Sequence, residues 1–308
     1  MLFNDLVAMW LSTVAAVTLK PSGYKSYSAI CTNHLLPSYG DMPIETITAA
    51  DVQAYVADKV ESGLSPRTVS NTVQVLRRLM AYAADTGLIE SNPLTAVAMP
   101  RQEPSASRLR YLTPDQLRQA IDAAPKAWAV LLATACMVGL RRGEQLSLLA
   151  SDLNFENRTI SVSKTIRNGV VSSPKTPWSI GVVPMPESLV PLLQERISKL
   201  PDPNGLVFCR SDGSPLPDSL PNRILKKALD TAGLPQVSWH EFGRHSWVVA
   251  HLQAGTDIPT LQRLGRWKTA DVLLSTYAHV LPASGGDAVR RLDELMAQQQ
   301  PQGRPQRV

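Results

Sequence analysis

The sequence predicts a mainly α-helical protein with one small β-sheet, divided into two domains. Its 308 residues are enough for two domains of ordinary size. Capped segments with helical spacing of apolar residues fill most of the chain, and only residues 153–186 change to β-like alternation. The regular strand–helix alternation of a doubly wound α/β fold is missing from this order of elements. The composition, 44% apolar and 19% charged, is typical of a globular protein.

Residues 1–100 are expected to form a four-helix domain. The clearest helix starts at Ser65, a favourable N-cap, has Pro66 at its first position and ends at Gly87. Its apolar residues recur at spacings of four, three and four and form a single stripe: Val69, Val73, Leu76 and Met80. The four helices are predicted at about residues 2–18, 22–35, 48–63 and 65–87.

A second domain follows a proline-containing linker. The expected boundaries are a linker at 101–109, the second domain at 110–297 and a disordered tail at 298–308. The second domain opens with a capping box formed by Thr113 and Gln116, with Pro114 at the first helical position. The segments RTISVSKT and WSIGVVPM are β-like and predict a sheet of two or three strands. Helices are expected again at about 187–200, 217–232 and through 239–281.

Charge and cysteine content narrow the possible functions. The formal net charge is +5, but residues 1–100 carry −2 and residues 101–308 carry +7. A basic second domain favours a polyanionic partner, most often nucleic acid. Three cysteines without a CxxC pattern predict neither a disulfide framework nor a zinc site, and they favour the reducing cytoplasm. The apolar start lacks the basic residues of a signal peptide and is too short to span a bilayer, so we expect a core helix and no membrane partner.

Separate segments carry side chains suited to binding a phosphate. Arg141, in GLRRGE, offers a permanent charge and paired N–H donors, although it could belong to a solvated arginine pair. Lys175 lies in a turn and could be a point charge, a proton donor or a plain surface lysine. His240 and Arg244, in HEFGRH, are four residues apart and share a helix face, unless the histidine is simply stacked at the surface. His245 is turned by about 100° and is expected to be supporting or structural.

Two aromatic residues in LGRWKTADVLLSTYAHV complete this set. The hydroxyl of Tyr277 can serve as a covalent nucleophile if nearby cations stabilise its phenolate. The indole N–H of Trp267 is a hydrogen-bond donor. Taken singly, both aromatic residues also fit an ordinary core.

In their order along the chain, these residues resemble the tyrosine recombinases, the phage-integrase family. The resemblance covers nearly the whole sequence and implies an N-terminal four-helix, SAM-like core-binding domain followed by a mixed, mostly helical tyrosine-recombinase catalytic domain. It implies a first catalytic arginine with a supporting acid, a hairpin lysine, a His/Arg pair, a His-or-Trp position and a nucleophile: Arg141 with Glu144, Lys175, His240 and Arg244, Trp267, and Tyr277.

The sequence departs from the family pattern at two spacings. The family usually has His-x-x-Arg, and Gly243 adds a residue here. Ten positions rather than the usual nine separate Trp267 from Tyr277, so Trp267, Arg266 and Lys268 are all candidates to reach the phosphate. The additional arm-type DNA domain of some integrases is not expected ahead of the core-binding domain.

The function that the resemblance implies is site-specific recombination or integration of double-stranded DNA, clamped between the two domains. Tyr277 would attack the scissile phosphorus and form a 3′-phosphotyrosyl link. Arg141 and Arg244 would hold the non-bridging oxygens, Lys175 would protonate the leaving 5′-oxygen, and His240 would assist proton transfer or bind the phosphate. No metal or other cofactor is implied.

The predicted last helix carries an apolar stripe: Ala288, Val289, Leu292, Leu295 and Met296. In the family such a helix docks on the neighbouring subunit, which implies a homotetramer on DNA and is compatible with a monomer in free solution. The helix could instead pack on its own domain. Accessory DNA-bending proteins are further possible partners, and the expected location is the cytoplasm, on the nucleoid.

Three other readings remain from the sequence alone. A type IB topoisomerase shares this chemistry, although the short chain and helical N-terminal domain argue against it. A DNA-binding regulator without catalysis would use the segment IPTLQRLGRW as a recognition helix. A purely structural helical protein would show no salt-dependent DNA binding.

Overall fold

The computed structural model describes residues 1–101, 109–174, 177–280 and 285–298. The chain divides into two compact units, Met1–Pro104 and Ser105–Val308. Most of the expected linker, Lys175 and nearly all of the expected disordered tail lie outside the described residues.

The four helices predicted for the first unit all form. The first and the second predicted helix are each interrupted by one wider π-helical turn. In order, the elements are α1 (Phe3–Trp10), a π turn (Leu11–Ala15), α2 (Ala16–Thr18), α3 (Pro21–Ile30), a π turn (Cys31–Leu35), α4 (Leu36–Tyr39), α5 (Ala49–Glu61) and α6 (Pro66–Asp85). Two 3₁₀ turns lie at Ile44–Thr46 and Pro93–Ala96. The Ser65 hydroxyl accepts the backbone N–H of Thr68, which confirms the predicted N-cap of α6.

The core of the first unit forms around the stripe on α6. All four residues of the predicted stripe are fully buried: Val69, Val73, Leu76 and Met80. They pack in one cluster with Phe3, Leu6 and Trp10 of α1. Arg78, on the edge of this cluster, lies over the rings of Trp10 and Tyr27, at 5.8 and 5.6 Å from their centroids.

The second unit is also mainly helical. Its helices are α7 (Pro114–Asp122), α8 (Lys126–Val138), α9 (Arg142–Leu146), α10 (Val190–Ser198), α11 (Leu220–Thr231), α12 (Ser246–Gln253), α13 (Ile258–Gly265), α14 (Asp271–Tyr277) and α15 (Gly285–Gln298), with a π turn at Glu241–His245 and 3₁₀ turns at Ala150–Asp152, Pro177–Ser179, Glu187–Leu189 and Ala278–Val280. The capping box between Thr113 and Gln116 is present, as predicted. Helix α8 is buried on most sides, because it runs through the centre of the largest apolar cluster.

The β structure is richer than predicted. The strands are β1 (Leu153–Asn154), β2 (Thr159–Val162), β3 (Thr165–Arg167), β4 (Val170–Ser172) and β5 (Gly181–Pro184). An antiparallel sheet of three strands has the order β1-β2-β5, with Ile160 opposite Val183. The hairpin of β3 and β4 is separate and was not predicted. Its two-residue loop is Asn168-Gly169, both with positive φ, which is the preferred chemistry of a tight hairpin turn.

Candidate active site

Arg141 sits at the start of α9, directly after the end of the buried helix α8. Gly139 ends α8 in the left-handed conformation and turns the chain towards α9. Nη1 of Arg141 donates to Oε1 of Glu144 at 2.7 Å and to the Ser179 hydroxyl at 3.4 Å. The side chain of Arg141 is 38% exposed, whereas that of Glu144 is buried. Arg141 is therefore fixed at one edge and open to a ligand at the other.

The carboxylate of Glu144 is shared with a second arginine, Arg266. Nη2 of Arg266 forms an ion pair with Oε2 of Glu144, and its Nε donates to the Ser179 carbonyl at 3.1 Å. Among the described residues, Nη1 of Arg266 is buried without a hydrogen-bond partner. Burial lowers the pKa of Arg266, and Glu144 opposes this shift. Arg266, which the sequence offered only as an alternative to Trp267, is thus joined to Arg141 through Glu144.

Arg244 is buried and held by main-chain carbonyls. Its Nη1 donates to the Gly139 carbonyl at 2.7 Å, and its Nη2 donates to the Gly265 carbonyl. The guanidinium carbon lies 4.0 Å from the centroid of the Trp267 ring, a cation–π contact. Burial, followed by the positive charge of Arg141, lowers the pKa of Arg244 to about 9. Trp267 therefore contacts the second arginine of the candidate site.

The extra residue in HEFGRH is accommodated by a π-helical turn. The backbone N–H of Ser246 donates to the Glu241 carbonyl five residues earlier, so the turn is wider than an α-helical one. Gly243 lies against α8, where an added Cβ would be 3.1 Å from a carbonyl oxygen. The wider turn brings together residues that are five apart: the rings of His240 and His245 lie 4.8 Å apart at 90°.

Tyr277 is the last residue of α14, and only 3% of its surface is exposed to solvent. Its hydroxyl is 2.7 Å from Nδ1 of His245. Burial raises the pKa of Tyr277 to about 12, against the opposing charge of Arg244. His245, expected to be supporting or structural, therefore contacts the candidate nucleophile directly. This contact was not predicted, because residues in a π turn do not follow the 100° per residue of an α-helix.

His240 lies at the solvent-exposed edge of this group. Desolvation by the surrounding protein lowers its pKa to about 4, and the positive charges of His245, Arg244 and Arg141 add to the effect. The imidazole is therefore neutral at physiological pH and can donate or accept a hydrogen bond.

The structure thus brings together five of the six candidate residues from distant segments: Arg141, His240, Arg244, Trp267 and Tyr277. Lys175 lies outside the described residues. Within the described part of the chain, no group of three or more His, Cys, Asp or Glu side chains is arranged to hold a metal ion. No helix in that part has the length and apolarity needed to cross a membrane.

Comparison with known proteins identifies the family. Residues 110–284 match the phage integrase family, and residues 3–99 match the phage integrase central domain. The chain belongs to the phage integrase family. It is a tyrosine recombinase, and the function expected from the sequence, site-specific recombination by cleaving and rejoining DNA strands, is confirmed.

Similar proteins span nearly the whole chain. A tyrosine recombinase XerC-like protein of Caldanaerobacter subterraneus is 26% identical and covers 95% of this chain and 83% of its own length. The ICEBs1 integrase of Bacillus subtilis is 25% identical over 96% of this chain and 83% of its own. The Tn1549 transposon integrase, solved in complex with a circular intermediate DNA, has a TM-score of 0.75 at 22% identity and covers 96% of this chain and 99% of that one. A lambda integrase dimer bound to a COC′ core site has a TM-score of 0.70 at 17% identity, over 92% and 97%. These likenesses confirm the predicted fold.

Proposed function

We propose that this recombinase cleaves DNA with Tyr277 as the nucleophile, while Arg141 and Arg244 hold the non-bridging oxygens of the scissile phosphate. The main support is convergence. The three residues come from separate segments, yet Arg141 and Tyr277 both lie close enough to Arg244 to influence the pKa of its guanidinium. Two guanidinium groups facing one phosphodiester would stabilise the charge that develops in the transition state. The product of the first step is a 3′-phosphotyrosyl link with a free 5′-hydroxyl, and a second strand's 5′-hydroxyl reverses the step.

The other site residues have distinct proposed roles. Trp267 packs on the Arg244 guanidinium at 4.0 Å and fixes its plane. Glu144 fixes Arg141 through the 2.7 Å bond to Nη1. His240, neutral and near the exposed edge, donates a hydrogen bond to the phosphate.

Lys175 is proposed as the general acid for the leaving 5′-oxygen. The chain before it forms the β3–β4 hairpin, and the chain after it returns to Arg141 through Ser179, whose hydroxyl is 3.4 Å from Nη1 of Arg141. Lys175→Ala should therefore slow cleavage of normal DNA much more than cleavage of DNA with a 5′-bridging sulfur, which leaves without a proton. Equal slowing of both substrates would contradict this role.

The substrate is proposed to be duplex DNA, bound by residues 1–100 as a core-binding domain and by residues 110–297 as the catalytic domain. The net +7 of residues 101–308 supports a polyanionic substrate. Acting on this substrate would place the protein at the nucleoid. Whether accessory DNA-bending proteins take part stays a prediction.

Helix α15 is proposed to join subunits into a homotetramer on DNA. Four apolar side chains spaced along it are each more than half exposed: Val289, Leu292, Leu295 and Met296. Leu292→Glu combined with Leu295→Glu should leave binding to a single site intact and abolish complexes of two sites in native gels. Unchanged two-site complexes would mean that α15 does not link subunits.

The test of the nucleophile is formation of a covalent adduct that survives SDS. The protein is incubated with nicked duplexes that carry candidate half-sites, so that the short fragment released with the free 5′-hydroxyl diffuses away and the adduct accumulates. Wild type and the control Tyr111→Phe should form the adduct, and Tyr277→Phe should form none while its affinity for the duplex is unchanged. An adduct formed by Tyr277→Phe would refute the assignment.

Supercoiled plasmids that carry one or two complete sites distinguish the rival activities. A topoisomerase relaxes a supercoiled plasmid with one site, whereas a recombinase exchanges strands only between two sites. The recombination products, and their orientation relative to the two sites, would also distinguish integration from resolution.

A further inference from the structure

We propose that His245 is the catalytic base that takes the proton of the Tyr277 hydroxyl during DNA cleavage. The inference deepens the proposed function and rests on Tyr277 as the nucleophile. It starts from a direct contact: the Tyr277 oxygen and Nδ1 of His245 are 2.7 Å apart, a good distance for an O–H···N hydrogen bond.

The contact joins two elements that are 32 residues apart in sequence. His245 is the last residue of the π turn, and Tyr277 is the last residue of α14. The ring centroids lie 5.5 Å apart at 50°, so the two rings do not stack. The tyrosine is buried, and the hydrogen bond described for its hydroxyl is the one to His245. His245, which directly follows Arg244 in the sequence, is therefore the residue in contact with the proposed nucleophile.

The surroundings of His245 keep its imidazole neutral. Burial is the first cause of its lowered pKa; the positive charge of Arg244 adds to it, and the carboxylate of Glu241 opposes it. Among the described residues, Tyr277 and His240 also face the ring, the latter at 4.8 Å and 90° between ring centroids. A neutral imidazole with its proton on Nε2 presents the Nδ1 lone pair to the hydroxyl.

Tyr277, His245 and Lys175 together carry the protons of the cleavage step. The O–H bond of Tyr277 breaks and its proton goes to Nδ1 of His245, while the oxygen forms a bond to phosphorus. The P–O5′ bond breaks, and the leaving 5′-oxygen takes a proton from Lys175, the proposed general acid. When an incoming 5′-hydroxyl displaces the tyrosine, the amine of Lys175 takes the proton of that hydroxyl and the imidazolium returns its proton to the tyrosine oxygen.

His240 is less suited to this task. Among the described contacts its ring meets that of His245 and not the Tyr277 hydroxyl, and its edge is open to solvent. The two histidines of HEFGRH therefore have different proposed roles. His245 contacts the nucleophile, and His240 binds the phosphate.

The experiment measures the single-turnover rate of adduct formation on the nicked half-site duplex with wild type, His245→Ala, His245→Asn and the control His251→Ala. His251 lies on α12, is similarly half-buried and hydrogen-bonds the Thr256 hydroxyl at 3.1 Å. His245→Ala and His245→Asn should be slower by about 10²- to 10⁴-fold, with DNA affinity and circular dichroism unchanged. Added imidazole should restore part of the rate of His245→Ala, and the control should match wild type.

Each outcome decides between the possibilities. If wild type forms no adduct, the proposed function itself fails. If wild type reacts and His245→Ala reacts equally fast, His245 is not the base. His245→Asn retains an acceptor oxygen but cannot take the proton, so full activity in it would reduce His245 to a positioning residue. The proposal would also be overturned if His245→Ala is slow, is not rescued by imidazole and shows the same dependence of rate on pH as wild type.

Discussion

Glu144 and Arg266, which are 122 positions apart in the sequence, form a buried ion pair within the candidate site. Their side chains are 3% and 4% exposed. The other carboxylate oxygen of Glu144 accepts from Arg141, so one acid balances two guanidinium groups. The cluster therefore keeps a net positive charge, which suits a phosphodiester ligand.

Glu144→Gln should strongly destabilise the second unit. It leaves the buried Arg266 without its counter-ion, and breaking one partner of a buried pair costs roughly 3–5 kcal/mol. The measurement is the free energy of unfolding in urea from tryptophan fluorescence, to which the second unit contributes five of the six tryptophans. Glu187→Gln is the matched control: it breaks an exposed pair with Arg158 and should cost about 0–1 kcal/mol. Equal effects of the two substitutions would contradict this account.

The double variant Glu144→Gln with Arg266→Met should be more stable than the two single variants predict together. Removing both charges leaves no isolated buried ion at that point, because Arg141 reaches solvent. We expect a coupling free energy of roughly 1–3 kcal/mol in a double-mutant cycle from the same urea titrations. Additive effects would mean that the two side chains are energetically independent despite their contact.

Much of the fold follows from local sequence signals. The cap at Ser65 and the stripe that includes Leu76 and Met80 predicted α6, because both features act within a few turns of one helix. The β3–β4 hairpin was missed although Asn168-Gly169, the strongest short hairpin signal, was present. The strands beside it have only three residues each, too few for a clear alternation.

The sequence supplied the candidate residues of the site but little of their geometry. The order of motifs selected Arg141, Arg244 and Tyr277, which the structure brings close together. The roles of His245 and Arg266 depend on a π turn and on a pairing over 122 residues, and neither leaves a periodic signal. Gly243, the extra residue in the motif, was the available sign that the spacing of the helix changes there.

Acidification from pH 7.5 to pH 5 should lower the stability of the protein. The pKa values of His240, His245 and His251 are all lowered in the folded chain, in each case first by desolvation. Below the unfolded value of about 6.5, the unfolded chain therefore binds more protons than the folded one, and stability falls as pH falls towards the folded values. His240 is exposed, so solvent screens its charge and reduces its contribution to this loss of stability.

The measurement is the urea midpoint at pH 7.5, 6.5, 5.5 and 5.0. His251→Gln removes one of the three groups without touching the candidate site, so its midpoint should depend less on pH in this window. A wild-type midpoint that is constant down to pH 5 would contradict the lowered pKa values.

Gly139→Ala should damage both stability and catalysis. Gly139 has φ +66°, and a Cβ there would lie 2.4 Å from the ring of Trp247, which is itself buried. The left-handed backbone costs about 1–2 kcal/mol for a non-glycine residue, and forced overpacking adds about 1–3 kcal/mol. Because the Gly139 carbonyl accepts from Arg244 at 2.7 Å, any shift also displaces that guanidinium, so adduct formation should slow more than DNA binding weakens.

Gly233→Ala, at φ +65° with open space around it, should show only the backbone cost in the urea titration and a normal rate of adduct formation. Similar losses in both variants would mean that the contact with Trp247 and the carbonyl bond to Arg244 are unimportant.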